Sequence, residues 1–177
     1  MTSYVYVAQS LDGYIAGPGG ELDWLDEIDN PDNSDFGFSL FMENIDALIM
    51  GRNTFEKVLS FGIWPYEKPV FVASDPLSSL PAGFDEKAFL INGSPNHMVK
   101  SLCEKGYNNL YIDGGSLIQS FLAENLIDKI IVTTAPVLLG GGIPLFGSLP
   151  KRVKLRLFNS DILDNQLVKT SYDVQMP

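Results

Sequence analysis

The stretch ALIMGRNTFEKV, residues 47–58, changes its pattern in the middle. It opens as a short apolar run, breaks at Gly51 and Arg52, and resumes with residues that favour a helix. This order predicts a buried strand, a sharp turn and a helix, with Asn53 as the N-cap and Glu56 completing a capping box. The chain has only three arginines, so one placed at the end of a buried strand suggests an anionic ligand.

Strand followed by helix is the pattern of most of the chain. Further strand-to-helix junctions stand at VFVASD, residues 70–75, and at YIDGGSLI, residues 111–118. Residues 153–175 instead alternate polar and apolar side chains around Asp164-Asn165, which predicts an antiparallel hairpin. We therefore predict one domain over residues 1–177, a three-layer α/β/α fold with a mainly parallel central sheet and a C-terminal antiparallel hairpin.

The composition restricts the partners. With a net charge of -10 and a sequence pI near 4.4, the chain is a poor partner for nucleic acid or an anionic membrane. Pro136 and the glycines after it interrupt the apolar run at residues 130–146, which predicts a buried strand rather than a membrane span. No signal peptide is evident, so we expect a cytoplasmic protein. Cys103, the only cysteine, is predicted to be buried on the apolar side of a helix.

The strand-to-helix junctions are the candidate ligand sites. Ligands bind at the carboxyl ends of the strands in open parallel sheets, and helix starts present free N–H groups to anions. Three such junctions suggest a large ligand that carries phosphates. The sequence has neither a G-x-G-x-x-G fingerprint nor a Walker-type loop. The acidic run from Asp23 to Asp32 matches no calcium loop, so we predict no metal site.

Three stretches carry a resemblance to a known family. They are VYVAQSLDGYIA at residues 5–16, ALIMGRNTFE at residues 47–56, and LYIDGGSLIQSFLAENLIDKIIVTTAPVLLGGGIPLF at residues 110–146. Together they resemble the dihydrofolate reductase superfamily. SLDGYIA and PVLLGGGIPLF resemble its riboflavin branch, the reductase domain of the bifunctional deaminase–reductase and its stand-alone relatives. The resemblance implies a dihydrofolate reductase-like fold and an NADPH-dependent reductase.

The resemblance also implies how NADPH is held on its adenosine side. Arg52, helped by Asn53 and Thr54 after Gly51, is expected at the 2′-phosphate, because a guanidinium offers a planar fork of charged donors. The alternative for Arg52 is a surface salt bridge. Ser74 is expected along the adenosine ribose or its phosphate.

The pyrophosphate and nicotinamide sides involve another set of residues. The resemblance implies that Gly114 and Gly115, joined by a cis peptide, hold the pyrophosphate together with the start of the following helix, namely Ser116, Leu117 and Ile118. Small and apolar residues are expected beside the nicotinamide, which requires a dry pocket: Ala8, Ile15 and Ala16.

Four residues are candidates for the substrate side. Asp35 falls where dihydrofolate reductases place an acidic residue that binds the pterin and assists its protonation, so it is the candidate catalytic residue, with a raised pKa. The alternative is an aspartate that only stabilises the start of a helix over residues 35–44. Trp24 and Phe38 are expected to line the same pocket. Asp12 either binds substrate or caps the SLDG turn.

The implied activity is hydride transfer to a small heterocyclic or ribosylaminopyrimidine substrate, as in 5-amino-6-(5-phosphoribosylamino)uracil reductase. The alternatives are a dihydrofolate reductase-like activity on a pterin and a nucleotide-binding protein without turnover. We also expect a homodimer, because riboflavin-branch relatives pair and the C-terminal hairpin offers an apolar edge.

Overall fold

The computed structural model describes residues 1–74, 79–84, 86–164 and 166–175. Within these ranges strands and helices alternate, and a short 3-10 helix spans Asp23–Leu25. The strands are β1 Thr2–Ser10, β2 Tyr14–Ala16, β3 Ala47–Gly51, β4 Val70–Ala73, β5 Ala88–Ile91, β6 Asn109–Asp113, β7 Lys129–Ala135, β8 Ile143–Pro144, β9 Lys154–Leu163 and β10 Leu167–Gln175. The helices are α1 Phe38–Glu43, α2 Arg52–Ser60, α3 Pro95–Glu104 and α4 Gly115–Ala123.

One 8-stranded sheet organises the molecule, in the order β5-β4-β3-β6-β1-β7-β10-β9. Neighbouring strands from β5 to β7 are parallel. In contrast, β10 runs antiparallel to both β7 and β9. This confirms the predicted mainly parallel sheet with a C-terminal antiparallel hairpin.

Helices cover both faces of the sheet. On one face α3 and α4 pack on strand residues such as Ile49, and on the other α1 and α2 pack on Leu48 and Met50. Because both of its faces are covered, β3 is apolar throughout, and Ala47 to Met50 have 0% exposure. Burying each of the larger side chains contributes about 2 kcal/mol. The three predicted layers follow from this two-sided burial.

Two helices begin later or differently than predicted. The helix expected over residues 35–44 spans only Phe38–Glu43, because Gly37 has φ 87°, a left-handed conformation outside the helix. In α2 the N-cap is Gly51 and no side chain caps the helix. The predicted capping box of Asn53 and Glu56 is therefore wrong, since both residues already lie inside the helix.

Cys103 is exposed, so its predicted burial is wrong. The apolar face of α3 is formed by Met98, Val99 and Leu102. One residue beyond Leu102 is a rotation of about 100° around the helix, which carries Cys103 away from the sheet.

After β1 the chain forms β2, which pairs antiparallel with β8 in a separate 2-stranded sheet. Asp75, which ends the junction at residues 70–75, and Asn165, at the predicted hairpin turn, lie outside the described residues. Among the residues that are described, none of the helices is long and apolar enough to cross a membrane.

Candidate functional site

The carboxyl ends of β3, β6 and β1 lie side by side at one edge of the sheet. Two of these strands lead directly into helices, β3 into α2 and β6 through Gly114 into α4. The first N–H groups of each helix have no partner within the helix and point toward this edge. The arrangement is the one in which parallel sheets bind nucleotides.

The two helix starts approach each other at Gly114 and Thr54. A β-carbon added to Gly114 would collide with Thr54 Oγ1 and would lie 3.8 Å from the backbone nitrogen of Gly51. Gly114 also has φ 96°, a conformation that other residues rarely adopt. Only glycine therefore fits between the two helix starts.

The second glycine of the pair lies against the wall formed by β2 and β8. A β-carbon on Gly115 would come within 3.0 Å of Ile15 Cδ1 and 3.3 Å of the Pro144 carbonyl oxygen. Ala16 follows in β2 and is 6% exposed. Ile15 thus lies against the start of α4, whereas the Ala16 side chain points to the opposite face of β2. A place for either residue beside the nicotinamide stays a prediction.

The predicted cis peptide between Gly114 and Gly115 is wrong, since this bond is trans. The turn is made by the backbone angles of Gly114, φ 96° and ψ 127°. The Gly114 N–H also donates to Asp113 Oδ1 at 2.8 Å, which holds the turn in place.

Arg52 is the cation at the start of α2. Its Nε lies 3.6 Å from Glu56 Oε1, one turn further along, and its side chain is 44% exposed. A pair so exposed is weak and exchanges readily for another anion. Asn53 beside it is also exposed, whereas Thr54 is half-buried. This geometry is compatible with both predicted roles of Arg52, a surface salt bridge and binding of a phosphate.

The other cofactor candidates divide into exposed, orphaned and buried groups. Among the described residues, the Ser74 hydroxyl, directly after β4, is buried without a hydrogen-bond partner. A hydrogen bond to a ligand would satisfy this group. Ser116 is exposed and Leu117 half-buried. Ile118 differs: its N–H already donates to the Gly114 carbonyl at 2.9 Å and its side chain is 0% exposed, so it supports the core and has no free N–H to offer.

Asp35 does not have the raised pKa that the sequence suggested. Its carboxylate accepts hydrogen bonds from Ser39 and from the N–H group of Gly37, with both backbone N–H distances at 2.8 Å. These bonds, that of the Ser39 side chain first, lower the pKa of Asp35 to about 2 because they favour the charged form. The expected pKa is therefore wrong. A catalytic role for Asp35 stays a prediction, but with a charged carboxylate rather than an acid.

The remaining substrate candidates occupy different surroundings. Trp24 is 4% exposed and packs with Ala135 and Leu167, close to Ala8. Phe38 is half-buried in an aromatic group with Tyr6, whose ring centroid is 5.7 Å away. Both line the same face of β1, on which Ala8 also lies. Asp12 sits elsewhere, with both carboxylate oxygens accepting main-chain N–H groups, and its binding of substrate stays a prediction.

Asp113 is a candidate that the sequence analysis missed. It is the last residue of β6, directly before Gly114, and burial raises its pKa to about 6. Burial, and then the Asp113 carboxylate, raise the pKa values of Tyr66 and Tyr111. The signal was available in YIDGGSLI, since an acidic residue at the end of an apolar strand is costly to bury.

Lys169 is a second missed residue. It lies on β10 opposite Thr133 of β7, and its Nζ donates to the Phe36 carbonyl oxygen at 2.9 Å. The Tyr6 hydroxyl donates to the same oxygen at 3.1 Å. Two donors therefore converge beside Asp35 and Phe38. Only the pairing of distant strands places them there, so no local pattern could have shown it.

Other parts of the described surface are less suited to this chemistry. A shallow depression between α3 and β5 is lined by Phe71, Phe89, Leu90, Lys105 and Tyr107. It lies away from the helix starts, and the Lys105 Nζ covers the Phe71 ring at 5.8 Å from its centroid. Within the described ranges, histidine, cysteine and acidic side chains form no group of three or more that could hold a metal ion.

Comparison with known proteins places this geometry in a family. Residues 86–169 match the model of the RibD C-terminal domain. The uncharacterized protein YwjB of Bacillus subtilis strain 168 is 40% identical over 157 residues, which cover 86% of this chain and 87% of YwjB. A crystal structure from Shewanella sp. PV-4, provisionally named a riboflavin biosynthesis protein, is 47% identical, with a TM-score of 0.97 over 99% of this chain and 100% of that one.

A more distant structure shows the fold alone. Dihydrofolate reductase from Enterococcus faecalis is 16% identical and superposes with a TM-score of 0.70 over 99% of this chain and 97% of its own. The dihydrofolate reductase-like fold implied by the sequence motifs is thereby confirmed.

Proposed function

Because this chain belongs to the RibD C-terminal domain family, we propose that it is a reductase that uses NADPH to reduce a small heterocyclic or ribosylaminopyrimidine substrate. The family supports a reductase of the riboflavin biosynthesis type, and the finer assignments rest on the site. The E. faecalis reductase of the same fold was solved with NADP(H).

The observation that carries the proposal is the contact between Gly114 and Thr54. It brings the starts of α2 and α4 together, because the missing β-carbon lets Thr54 Oγ1 approach the main chain of Gly114. The free N–H groups of Gly115 and Ser116 suit a pyrophosphate. The orphaned Ser74 hydroxyl suits the adenosine ribose. The residues present therefore fit a dinucleotide.

Arg52 supplies the preference for NADPH in this proposal. In a protein of net charge -10, a phosphate needs local positive charge to approach. The guanidinium leaves its weak, exposed pair with Glu56 and takes the 2′-phosphate, for which its fork of donors is suited. NADH lacks that phosphate and gains nothing from the exchange.

The bound cofactor supplies a hydride, and the chain must then manage one proton and orient the substrate. We propose Asp113 for the proton, because it ends β6 directly before the proposed cradle, accepts the Gly114 N–H, and has a pKa of about 6 that leaves part of it protonated near neutral pH, whereas Asp35 stays charged. The Lys169 Nζ and the Tyr6 hydroxyl, which now donate to the Phe36 carbonyl oxygen, would donate to substrate oxygens that take its place. Trp24 and Phe38 form the apolar side, which limits the entry of water.

The first experiment is a fluorescence titration of the protein with NADPH and NADH, repeated with Arg52→Ala. Loss of a charge-assisted contact should weaken NADPH binding about tenfold or more and leave NADH binding unchanged. Arg152→Ala, which removes the same charge from an exposed position before β9, is the matched control and should leave both affinities unchanged. Absence of binding by the wild-type protein would refute the reductase.

Turnover is tested next with a panel of pyrimidine and pterin substrates. Consumption of NADPH with a ribosylaminopyrimidine supports the proposal, and consumption with dihydrofolate supports the pterin alternative. We also propose a cytoplasmic location, since the exposed thiol of Cys103 suits a reducing compartment.

We further propose that the protein is a homodimer joined through β9 and β10. The register of this hairpin puts four apolar side chains on one face, and they are exposed to 41%, 57%, 72% and 44%: Leu155, Leu157, Ile162 and Val168. Monomeric proteins rarely leave so continuous an apolar strip in water, and β9 is also an unpaired edge strand. A second copy of the chain, packed on this face about a twofold axis, would cover both strips.

A further inference from the structure

Asp12 ties together two segments that are far apart in the sequence. Its Oδ2 accepts the N–H of Gly140 at 2.7 Å, and its Oδ1 accepts the N–H of Leu139 at 3.1 Å. A carboxylate that accepts two successive main-chain N–H groups makes charge-assisted bonds, which are stronger than neutral ones. The turn after β1 is thereby fastened to the loop before β8.

Ser10 holds the carboxylate in the correct orientation. Its side chain is 0% exposed, and its hydroxyl donates to Asp12 Oδ1 at 2.6 Å while accepting the N–H of Tyr14 at 3.0 Å. This hydroxyl connects the end of β1, the Asp12 carboxylate and the start of β2. Asp12 itself is exposed, but its carboxylate cannot turn away from the loop without breaking this partly buried hydrogen bond.

The segment that Asp12 holds continues directly into the wall of the crevice. Residues 139–142 lead into β8, where a β-carbon on Gly142 would collide with the Ala16 carbonyl of β2. At its other end the segment is fixed by Gln119 of α4, whose amide lies 3.3 Å from the carbonyl oxygens of Pro144 and Leu145. Asp12 and Gln119 thus fasten the wall on opposite sides.

This wall contacts the site at Gly115, where Ile15 and the Pro144 carbonyl lie within van der Waals distance of the space a β-carbon would fill. Any movement of the segment from residue 139 to residue 145 changes the width of the crevice at the start of α4. The width there decides how closely a pyrophosphate and its nicotinamide can approach the main chain.

We infer that Asp12 is a positioning residue, whose carboxylate clamps the Leu139–Gly140 backbone so that β2 and β8 form the wall beside Gly115. The inference rests on the proposed function, because the wall matters only if a nucleotide lies against it. Asp12 touches neither cofactor nor substrate in this role, and it acts through Ile15 and Pro144.

The test compares Asp12→Asn with a matched control, Asp46→Asn. Asp46 also accepts two successive N–H groups, those of Asn108 and Asn109 at 2.7 and 2.8 Å, but at the opposite end of the sheet and with one oxygen, Oδ2. An asparagine at position 12 keeps one acceptor oxygen and turns an amide NH₂ toward the other N–H, whereas an asparagine at position 46 removes the charge and keeps an oxygen for both N–H groups. Hydrogen exchange of the apoprotein and NADPH affinity are measured for both variants and for the wild type.

For Asp12→Asn we expect exchange at residues 137–145 to rise roughly tenfold or more and NADPH affinity to fall by about the same factor, as the loss of a charged hydrogen bond predicts. Asp46→Asn should raise exchange only near residues 108–109 and leave affinity unchanged. Asp12→Glu, which keeps the charge but moves it by one methylene, should recover part of both losses.

Three results decide the matter. Unchanged exchange at residues 137–145 in Asp12→Asn overturns the clamp. Raised hydrogen exchange in Asp12→Asn with unchanged NADPH affinity overturns the positioning role of Asp12, because the wall then has no influence on nucleotide binding. If the wild-type protein binds no nucleotide, the proposed function fails and the positioning role fails with it, whereas the exchange data still show separately whether the clamp exists.

Discussion

Gly114 lies so close to Thr54 that a β-carbon on the glycine would collide with the threonine hydroxyl. The two residues are distant in sequence, yet they join the starts of α2 and α4 at the carboxyl ends of adjacent strands. The nucleotide cradle that we propose is formed at this contact. The cradle can be tested by adding a β-carbon at Gly114, in the space that the Thr54 hydroxyl now occupies.

Gly114→Ala should weaken NADPH binding by at least about tenfold and lower the free energy of unfolding by roughly 1–2 kcal/mol. The added methyl group pushes Thr54 and the start of α2 away, and φ 96° is strained for alanine. Affinity is measured by fluorescence titration and stability by urea denaturation.

The matched control is Gly106→Ala, after α3. Gly106 has φ 93°, but a β-carbon there meets nothing within 4 Å, so this variant reproduces the backbone strain without the collision. It should lose stability and keep its affinity. Thr54→Ala in the Gly114→Ala background removes the colliding hydroxyl and should restore part of the binding. Equal affinities of the two glycine variants would contradict the cradle.

Glu56→Gln should strengthen NADPH binding about twofold, without changing NADH binding. Glu56 Oε1 lies 3.6 Å from Arg52 Nε and competes with a phosphate for it, and an exposed pair of this kind contributes less than about 1 kcal/mol. Glu104→Gln, an exposed glutamate at the end of α3, removes the same charge elsewhere and is the control. The gain should shrink at high salt, and weaker NADPH binding by Glu56→Gln would argue against the proposed exchange of partners.

Asp113→Asn should change how stability depends on pH. The folded pKa of Asp113, about 6, lies above the ordinary aspartate value of 3.8, so the folded protein holds this proton more tightly. The wild-type protein then loses stability as pH rises from about 4 to about 6, by at most about 3 kcal/mol. The asparagine variant lacks this loss, and its advantage over the wild type should grow across that window in urea denaturation.

Asp35→Asn should change the pH dependence of stability in the opposite direction. The folded pKa of Asp35, about 2, lies below the ordinary aspartate value of 3.8, so its contribution to stability is present above about pH 4 and disappears as pH falls toward 2. The two variants should therefore differ from the wild type in separate pH windows. Identical pH profiles for Asp113→Asn and the wild type would show that Asp113 is not the group that titrates near pH 6.

Ile162→Glu should convert the proposed dimer into a monomer in analytical ultracentrifugation. The substitution places a charge in the apolar strip of the hairpin, where burial against a second copy would be unfavourable. Ile63→Glu is the control, because Ile63 is 74% exposed and Ile162 is 72% exposed, but Ile63 lies outside the strip. A wild-type protein that sediments as a monomer would refute the dimer.

The sequence predicted the helices and strands well wherever the local residue pattern indicated a single structure. The apolar run at Ala47–Met50 and the glycines that end strands placed β3, α2, β6 and α4 nearly at their observed bounds. Where two local signals competed, the prediction was wrong. Asn53 is a good N-cap in isolation, but the helix already begins after Gly51, so the N-cap lies two residues before Asn53.

The tertiary structure alone decided which side chains meet and how they ionise. Asp35 and Asp113 are both aspartates beside apolar sequence, yet one has a pKa of about 2 and the other of about 6. The difference arises because main-chain N–H groups and Ser39 solvate Asp35, whereas the sheet and its helices bury Asp113. Lys169 reaches the Phe36 carbonyl, and Asp12 reaches the Gly140 N–H, across more than a hundred residues of sequence, and only the folded sheet brings these segments together. The spacing of apolar residues along the chain indicates each helix and strand. The hydration of a side chain and its contacts with distant segments are decided only when the sheet forms.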